Sequence, residues 1–383
     1  MELRQLGSSD LRVSSLCLGT MLFGESTPPA EAERLLGLAA DAGVNCFDTA
    51  EMYPGRSEEV LGAWLRRQRL RPRCDLVVAT KVSGPGGMGW LRGGPARLDG
   101  ANITAALDAS LRRLGTDYVD LLQLHWPDRQ GLRCAGLRCG VPQLAWLSAD
   151  LPPRHLRQPA SYVPMFGDLD YDPAMAYAAA SFEEQLGALA AAVEAGKVRH
   201  VGLSNETPYG LMRFCQLGER SGGWQAVAAH AQKHNAYSLL CRTFDAGLAE
   251  CCHAERVSLL AYSPLAMGLL TGKYLAAGGG PPDARLNKYR GQYAEAESRY
   301  GPKPNVHVAV TAYCRLAADW GLTGASLALR FVLAHSLVAS AVVGATSSRQ
   351  LQELLDAARQ PPLDEGLLQA VDAVHRRFPN PTP

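Results

Sequence analysis

Apolar runs of strand length alternate with amphipathic helical stretches along nearly the whole chain, and this alternation restricts the fold more than any other feature. Leu16 to Leu18 opens the series. Glu31 to Ala42 then places Leu35, Leu36 and Ala39 on one face and stops at Gly43, a residue suited to the left-handed position past a helix end. Strand Val44 to Phe47 follows at once. Ser57 to Arg67 carries Val60, Leu61, Trp64 and Leu65 on one stripe, with Glu58 and Glu59 in its first turn and Arg66 and Arg67 in its last, as the helix dipole favours. The pattern continues as strand Leu76 to Thr80, helix Asn102 to Leu114, strand Val119 to Leu124, helix Phe182 to Glu194, strand Val198 to Leu203 and helix Pro208 to Leu217. Strand Val227 to Ala231, helix Phe244 to Ala254, strand Val257 to Ala261, helices within Val306 to Ala334, strand Ala339 to Val343 and helix Arg349 to Ala357 complete it.

Eight such units with short connections in 383 residues predict an α/β fold. The expected form is a single (β/α)8 TIM barrel spanning residues 1–383, rather than an open sheet with a second domain. Residues 3 to 14 predict an N-terminal β-hairpin turning at Gly7 to Asp10 and plugging the barrel's bottom, and Asp364 to His375 an extra helix outside it. Two stretches rich in Pro and Gly, 127–181 and 276–305, follow strand ends, so long loops are expected at the C-terminal face, where barrel enzymes keep their chemistry.

Composition removes several partners. With 38 Lys+Arg against 37 Asp+Glu the formal charge is +1, and no long basic run supplies the footprint that nucleic acid or an anionic membrane surface requires. No apolar run approaches the ~18 residues of a bilayer span. Ten cysteines without a CxxC pair imply a reducing compartment, the cytoplasm by default. His230 and His234 lack the HExxH glutamate, and no cluster has metal-ligand spacing, so no metal is expected.

Three ionisable residues stand where apolar strands end: Asp48 after Phe47, Lys81 after Thr80 and His125 after Leu124. A lone charge there is ordinarily a solvated strand end. Three on consecutive strands of one barrel make a site, and Tyr53, just before the Pro54-Gly55 turn, can reach back over it. A phenol, an ammonium, a carboxylate and an imidazole suit carbonyl reduction, because hydride delivered to carbon leaves negative charge developing on oxygen, which needs a proton donor and nearby positive charge. A tyrosine of pKa about 10 needs a neighbouring Lys⁺ to stabilise its phenolate. Asp48 would hold Lys81 charged and aimed, and His125 would orient the substrate oxygen.

The segment Gly43-Val44-Asn45-Cys46-Phe47-Asp48-Thr49-Ala50-Glu51-Met52-Tyr53, with Ala79-Thr80-Lys81-Val82 and Leu122-Gln123-Leu124-His125-Trp126-Pro127, resembles the aldo-keto reductases. The resemblance runs on through Gly196 to Glu206, Tyr237 to Leu240, Ala261 to Leu265, Leu270 to Tyr274 and Val343 to Thr346. Within that family the chain looks most like the bacterial and plant plastid branch related to potassium-channel β subunits. The resemblance implies NADP(H) at the rim of an eight-stranded barrel, a small-molecule carbonyl substrate, and Tyr53 as general acid/base with Asp48, Lys81 and His125. It implies Thr20 and Met21, which follow the first strand, as cofactor residues, Asp48 also at the nicotinamide ribose, Ser204 and Asn205 on the carboxamide, and Tyr262 stacked on the nicotinamide. Ser263, Pro264, Leu265 and Ala266 resemble the pyrophosphate loop, and Gly344, Thr346, Gln350 and Glu353 the adenosine end. Lys273 and Arg285 resemble the clamp on the 2′-phosphate.

Some positions depart from the family. Either His234 or Gln232 fills the place of a carboxamide-binding glutamine, depending on an insertion, and Leu354 stands where an asparagine is common. Gly84 to Gly89 matches GxGxxG, but Gly93, Gly94 and Pro95 prevent a helix from opening there, which reads as a loop rather than a dinucleotide fingerprint. Trp126, Trp146, Tyr162 and Phe166 are candidates for the substrate pocket wall, and Cys134 and Cys139 for two thiols or a redox pair. Two other functions stay open: a nucleotide-bound redox sensor or interaction protein of the channel-subunit type, and a Schiff-base lyase using Lys233. Oligomeric state is not legible.

Overall fold

The computed structural model describes residues 1–53, 56–69, 71–85, 91–92, 96–129, 179–220, 233–290 and 299–383. Strands β1 (Leu3–Gln5) and β2 (Arg12–Ser14) pair antiparallel as the expected hairpin. Eight parallel strands then close into a barrel in chain order: β3 (Leu16–Gly19), β4 (Cys46–Asp48), β5 (Val77–Val82), β6 (Val119–Leu124), β7 (Val198–Ser204), β8 (Lys233–Ala236), β9 (Leu259–Tyr262) and β10 (Val338–Val343), the last pairing with β3. This is the (β/α)8 barrel that the alternation predicts.

Capping residues set where the outer helices begin. Asp99 accepts a hydrogen bond from the Asn102 N–H at the start of Gly100–Leu114, and that helix ends on Gly115 in the left-handed conformation, φ 65°. Ser181, Thr323 and Ser347 cap Phe182–Glu194, Gly324–Ala334 and Ser348–Ala358 in the same way. Asp364 caps the extra helix, Glu365–Arg377. Among the described residues no single helix is long and apolar enough to cross a membrane.

Strand periodicity decides what lies inside the barrel. Cys17, Cys46, Val77, Ala79, Leu121 and Leu260 form one buried apolar cluster with Leu6, Leu11 and Val13 of the hairpin, so the hairpin plugs the bottom. Residues two further along each strand share that inner face. Those residues are Asp48, Lys81 and Gln123. The barrel interior is therefore apolar below and polar above, and β4, β5 and β6 carry the polar layer.

Several element boundaries differ from expectation. Strand β5 runs on to Val82, with Lys81 paired to Gln123, so Lys81 sits within a strand and is fully buried rather than standing past its end. Strand β4 starts at Cys46 because the Asn45 N–H donates to Ser14 Oγ at 3.0 Å instead of to a strand carbonyl, while its Nδ2 donates to the Arg12 carbonyl at 2.9 Å and its Oδ1 accepts from the Ser14 N–H at 2.7 Å. The helix expected over Phe244 to Ala254 is a 3-10 turn, Thr243–Ala246, and a short helix, Leu248–Ala254, divided at Gly247. The described sixth barrel strand is Lys233–Ala236, beyond the expected Val227 to Ala231, which lies outside the described residues.

Candidate active site

The Lys81 ammonium donates to both carboxylate oxygens of Asp48 at 2.6 Å and to the Thr49 carbonyl at 2.8 Å, and it lies 3.2 Å from the Tyr53 hydroxyl. Three N–H bonds serve four acceptors, so one is shared. Because lysine can only donate, the Tyr53 oxygen accepts from it and keeps its own proton for another partner. Burial pushes the Asp48 carboxyl up from its ordinary value, against the opposing pull of Lys81 and of Gln123, whose amide donates to Asp48 Oδ1 at 3.3 Å.

His125 continues the ladder past β6, its N–H donating to the Val82 carbonyl at 2.9 Å. Its ring meets the Tyr53 ring edge-on at 5.8 Å and the Trp126 ring at 4.8 Å. Burial, then the Lys81 charge, holds the imidazole well below its ordinary pKa, so it is neutral near pH 7. Its Nδ1 is buried without a hydrogen-bond partner among the described residues. An under-used lone pair is tolerated in a protein interior better than an orphaned N–H, which places the ring proton on Nε2. Trp126 is itself buried and donates its indole N–H to the Pro85 carbonyl at 2.9 Å. A Cβ on Gly84 would lie 2.6 Å from both the indole and the Trp126 carbonyl, so this glycine serves close packing behind His125.

Next to the tetrad of Tyr53, Asp48, Lys81 and His125 lie the residues expected at the nicotinamide. Asn205, at φ 55°, donates from Nδ2 to the His125 carbonyl at 2.9 Å and to Ser204 Oγ at 3.0 Å, while its Oδ1 accepts the Tyr262 hydroxyl at 2.7 Å. Thr20 is fully buried, its hydroxyl engaged with the Asp48 carbonyl at 3.0 Å and Ser57 Oγ at 2.7 Å. Past β9 the backbone turns left-handed at Ser263, Ala266, Met267 and Gly268. Such departures from right-handed geometry turn peptide N–H groups into a concavity that suits an anion. A Cβ on Gly268 would come within 2.9 Å of the Lys273 ammonium, so that cation overhangs the loop. Burial, and the nearby charge of Arg285, lower the Lys273 pKa, with Asp283 opposing, and Arg285 reaches Met21 Sδ at 3.2 Å. Polyanion recognition is what this half of the rim can do.

The residues expected at the adenosine end, exposed apart from Leu354, bond to one another or to neighbouring elements. Gln350 Oε1 accepts from the Thr346 N–H at 3.0 Å and its hydroxyl at 3.1 Å; Glu353 accepts from Thr323 at 3.2 Å; Leu354 is buried in the core.

The sequence profile of the Aldo/keto reductase family matches residues 15–376. Protein tas of Escherichia coli strain K12 is 36% identical over the full length of both chains. The chain belongs to the aldo/keto reductase family. An L-glyceraldehyde 3-phosphate reductase of Escherichia coli O157:H7 is 29% identical, covering 93% of this aldo/keto reductase and 87% of that protein. A probable voltage-gated potassium channel subunit beta of Arabidopsis thaliana is 29% identical, covering 95% and 93%.

In this aldo/keto reductase three features of the site escape sequence reasoning. Gln123 was visible only as part of a motif, and its parity with Lys81 shows that it faces Asp48. Glu51 forms a buried ion pair with Arg92 and accepts the Ser83 N–H at 2.7 Å, tying the segment before Tyr53 to the end of β5. Arg299, far along the chain, donates to the Tyr262 hydroxyl at 3.1 Å. Gln232, Cys134, Cys139, Trp146, Tyr162 and Phe166 lie outside the described residues, as does most of 127–181.

Proposed function

We propose that this aldo/keto reductase is an NADPH-dependent oxidoreductase that reduces aldehyde or ketone carbonyls to alcohols. The observation carrying this reading is the contact of Lys81 with both Asp48 and Tyr53 at one end of a closed barrel. Bound NADPH supplies the hydride. Tyr53 gives its proton to the carbonyl oxygen as the carbon is reduced, completing the alcohol, and then regains a proton from solvent. The Lys81 ammonium stabilises the phenolate left behind, and Asp48 with the Thr49 carbonyl keeps that ammonium charged and aimed. Neutral His125, through Nε2–H, donates a hydrogen bond that orients the substrate oxygen. Lys273 and Arg285 hold the 2′-phosphate, with the left-handed loop at Ser263 to Gly268 beside the pyrophosphate.

The relative named for L-glyceraldehyde 3-phosphate supports a small aldehyde as the substrate class. The likeness to a channel subunit favours a nucleotide-reporting role only if turnover is absent. A panel of aldehydes, ketones and quinones, followed by loss of reduced-nicotinamide absorbance, separates the two. Turnover supports the reductase, and tight NADPH binding without turnover supports the sensor.

A further inference from the structure

Arg299 belongs to none of the expected motifs, yet it is buried and its guanidinium meets the nicotinamide side of the site. Its Nη1 donates to the Tyr262 hydroxyl at 3.1 Å and its Nε to the Pro383 carbonyl at 3.1 Å. Residues 380–383 are themselves fastened: the Thr382 N–H and hydroxyl donate to the Leu240 carbonyl at 3.1 and 3.2 Å, and Asn380 Oδ1 accepts the Arg242 N–H at 2.6 Å. The guanidinium is therefore anchored on one side by docked chain and on the other by Tyr262.

Chemistry fixes the direction of every bond from there inward. Arginine only donates, so the Tyr262 oxygen accepts from Arg299 and its own proton is left for Asn205 Oδ1. A carbonyl only accepts, so it is Asn205 Nδ2 that faces the His125 carbonyl. The result is one unidirectional chain, Arg299 to Tyr262 to Asn205 to His125, in which each donor is polarised by the one before it. It leaves Asn205 offering an acceptor lone pair, not an N–H, to a neighbouring carboxamide, and it holds Asn205 in its left-handed conformation.

We propose that Arg299 is a positioning residue for the nicotinamide end of the cofactor: anchored on the docked 380–383 segment, it orients Tyr262 and through it Asn205, so that Asn205 Oδ1 receives the carboxamide NH₂. The inference rests on the NADPH reading given above.

The test compares dissociation constants for NADPH and for its adenosine bisphosphate fragment, which lacks nicotinamide, in Arg299→Gln, Arg299→Lys, Tyr262→Phe and the Arg299→Gln/Tyr262→Phe double variant, with thermal melts alongside. Arg299→Gln is expected to weaken NADPH about tenfold, the worth of one charge-assisted hydrogen bond, while fragment affinity holds within about twofold. Arg299→Lys, which keeps a charged donor, recovers most of the loss. In the Tyr262→Phe background Arg299→Gln adds less than about twofold, because the chain is already cut. Equal weakening of both ligands, or a full Arg299→Gln effect in the Tyr262→Phe background, overturns the proposal and makes Arg299 a structural residue. These outcomes leave the reductase reading standing. A wild type that binds no NADPH overturns both.

Discussion

Lys81 Nζ lies 2.6 Å from each carboxylate oxygen of Asp48, and both side chains are almost wholly buried in the upper layer of the barrel. A buried pair of this kind adds little net stability, since desolvation of both ions offsets their attraction. Its placement gives it a different use. The same ammonium is 3.2 Å from the Tyr53 hydroxyl, so Asp48 fixes a positive charge beside that phenol.

Removing one partner exposes that arrangement. Lys81→Met leaves a buried carboxylate unpaired and is expected to cost roughly 3–5 kcal/mol of stability as well as two or more orders of magnitude in kcat. Adding Asp48→Asn to it should restore much of the stability and none of the activity. Chemical denaturation and steady-state kinetics on the three proteins check this. A double variant as unstable as Lys81→Met would show that the charge is not what matters.

The pH response of His125 has a definite sign. Its folded pKa lies below the unfolded value of about 6.5, so its contribution to stability is complete above that pH and is lost as pH falls through it toward the folded pKa. Nitrogen NMR of the imidazole should report the neutral Nε2–H tautomer at pH 6, where an ordinary histidine is mostly charged. An imidazolium signal at that pH would contradict the burial argument.

Nucleotide choice should follow two cations. Each charge-assisted contact is worth about 1.5–3 kcal/mol, so Lys273 and Arg285 together should favour NADPH over NADH by at least ~100-fold. The Lys273→Ala/Arg285→Ala variant should lose that preference while binding NADH nearly as before. Equal wild-type affinity for the two nucleotides, or an unchanged preference in the variant, would place the clamp elsewhere.

Packing behind His125 is tight enough to test with one methyl group. Gly84→Ala brings a carbon within 2.6 Å of both the Trp126 indole and its carbonyl, and it is expected to cost about 1–3 kcal/mol while displacing His125. Thermal melts and kcat measured together should both fall. A stable variant with normal kcat would mean that the loop yields freely.

Much of this was legible because it follows from period. Apolar runs of strand length between helical periodicities place the barrel, and Asp48, Lys81 and His125 follow one parity on successive strands, each two residues farther along the register than the one before. What was not legible depends on contacts between distant residues. Gln123 reads as a polar residue in an apolar strand until the register sets it across from Lys81. Arg299 has no local pattern at all, since its partners, Tyr262 and Pro383, lie 37 and 84 residues away. The end of β5 was misplaced for a physical reason: a lysine normally marks a strand's exit into solvent, and here Asp48 makes its burial tolerable.

The central claim is that Tyr53 donates the proton in a carbonyl reduction, and it rests most directly on Tyr53→Phe. The phenol hydroxyl acts in the transition state and adds little to nucleotide binding, so kcat should fall by two or more orders of magnitude while the NADPH dissociation constant stays within a few fold. Reduced-nicotinamide absorbance against an accepted aldehyde, with a fluorescence titration of the same protein, gives both numbers. A Phe variant that turns over at the wild-type rate would remove Tyr53 from the mechanism.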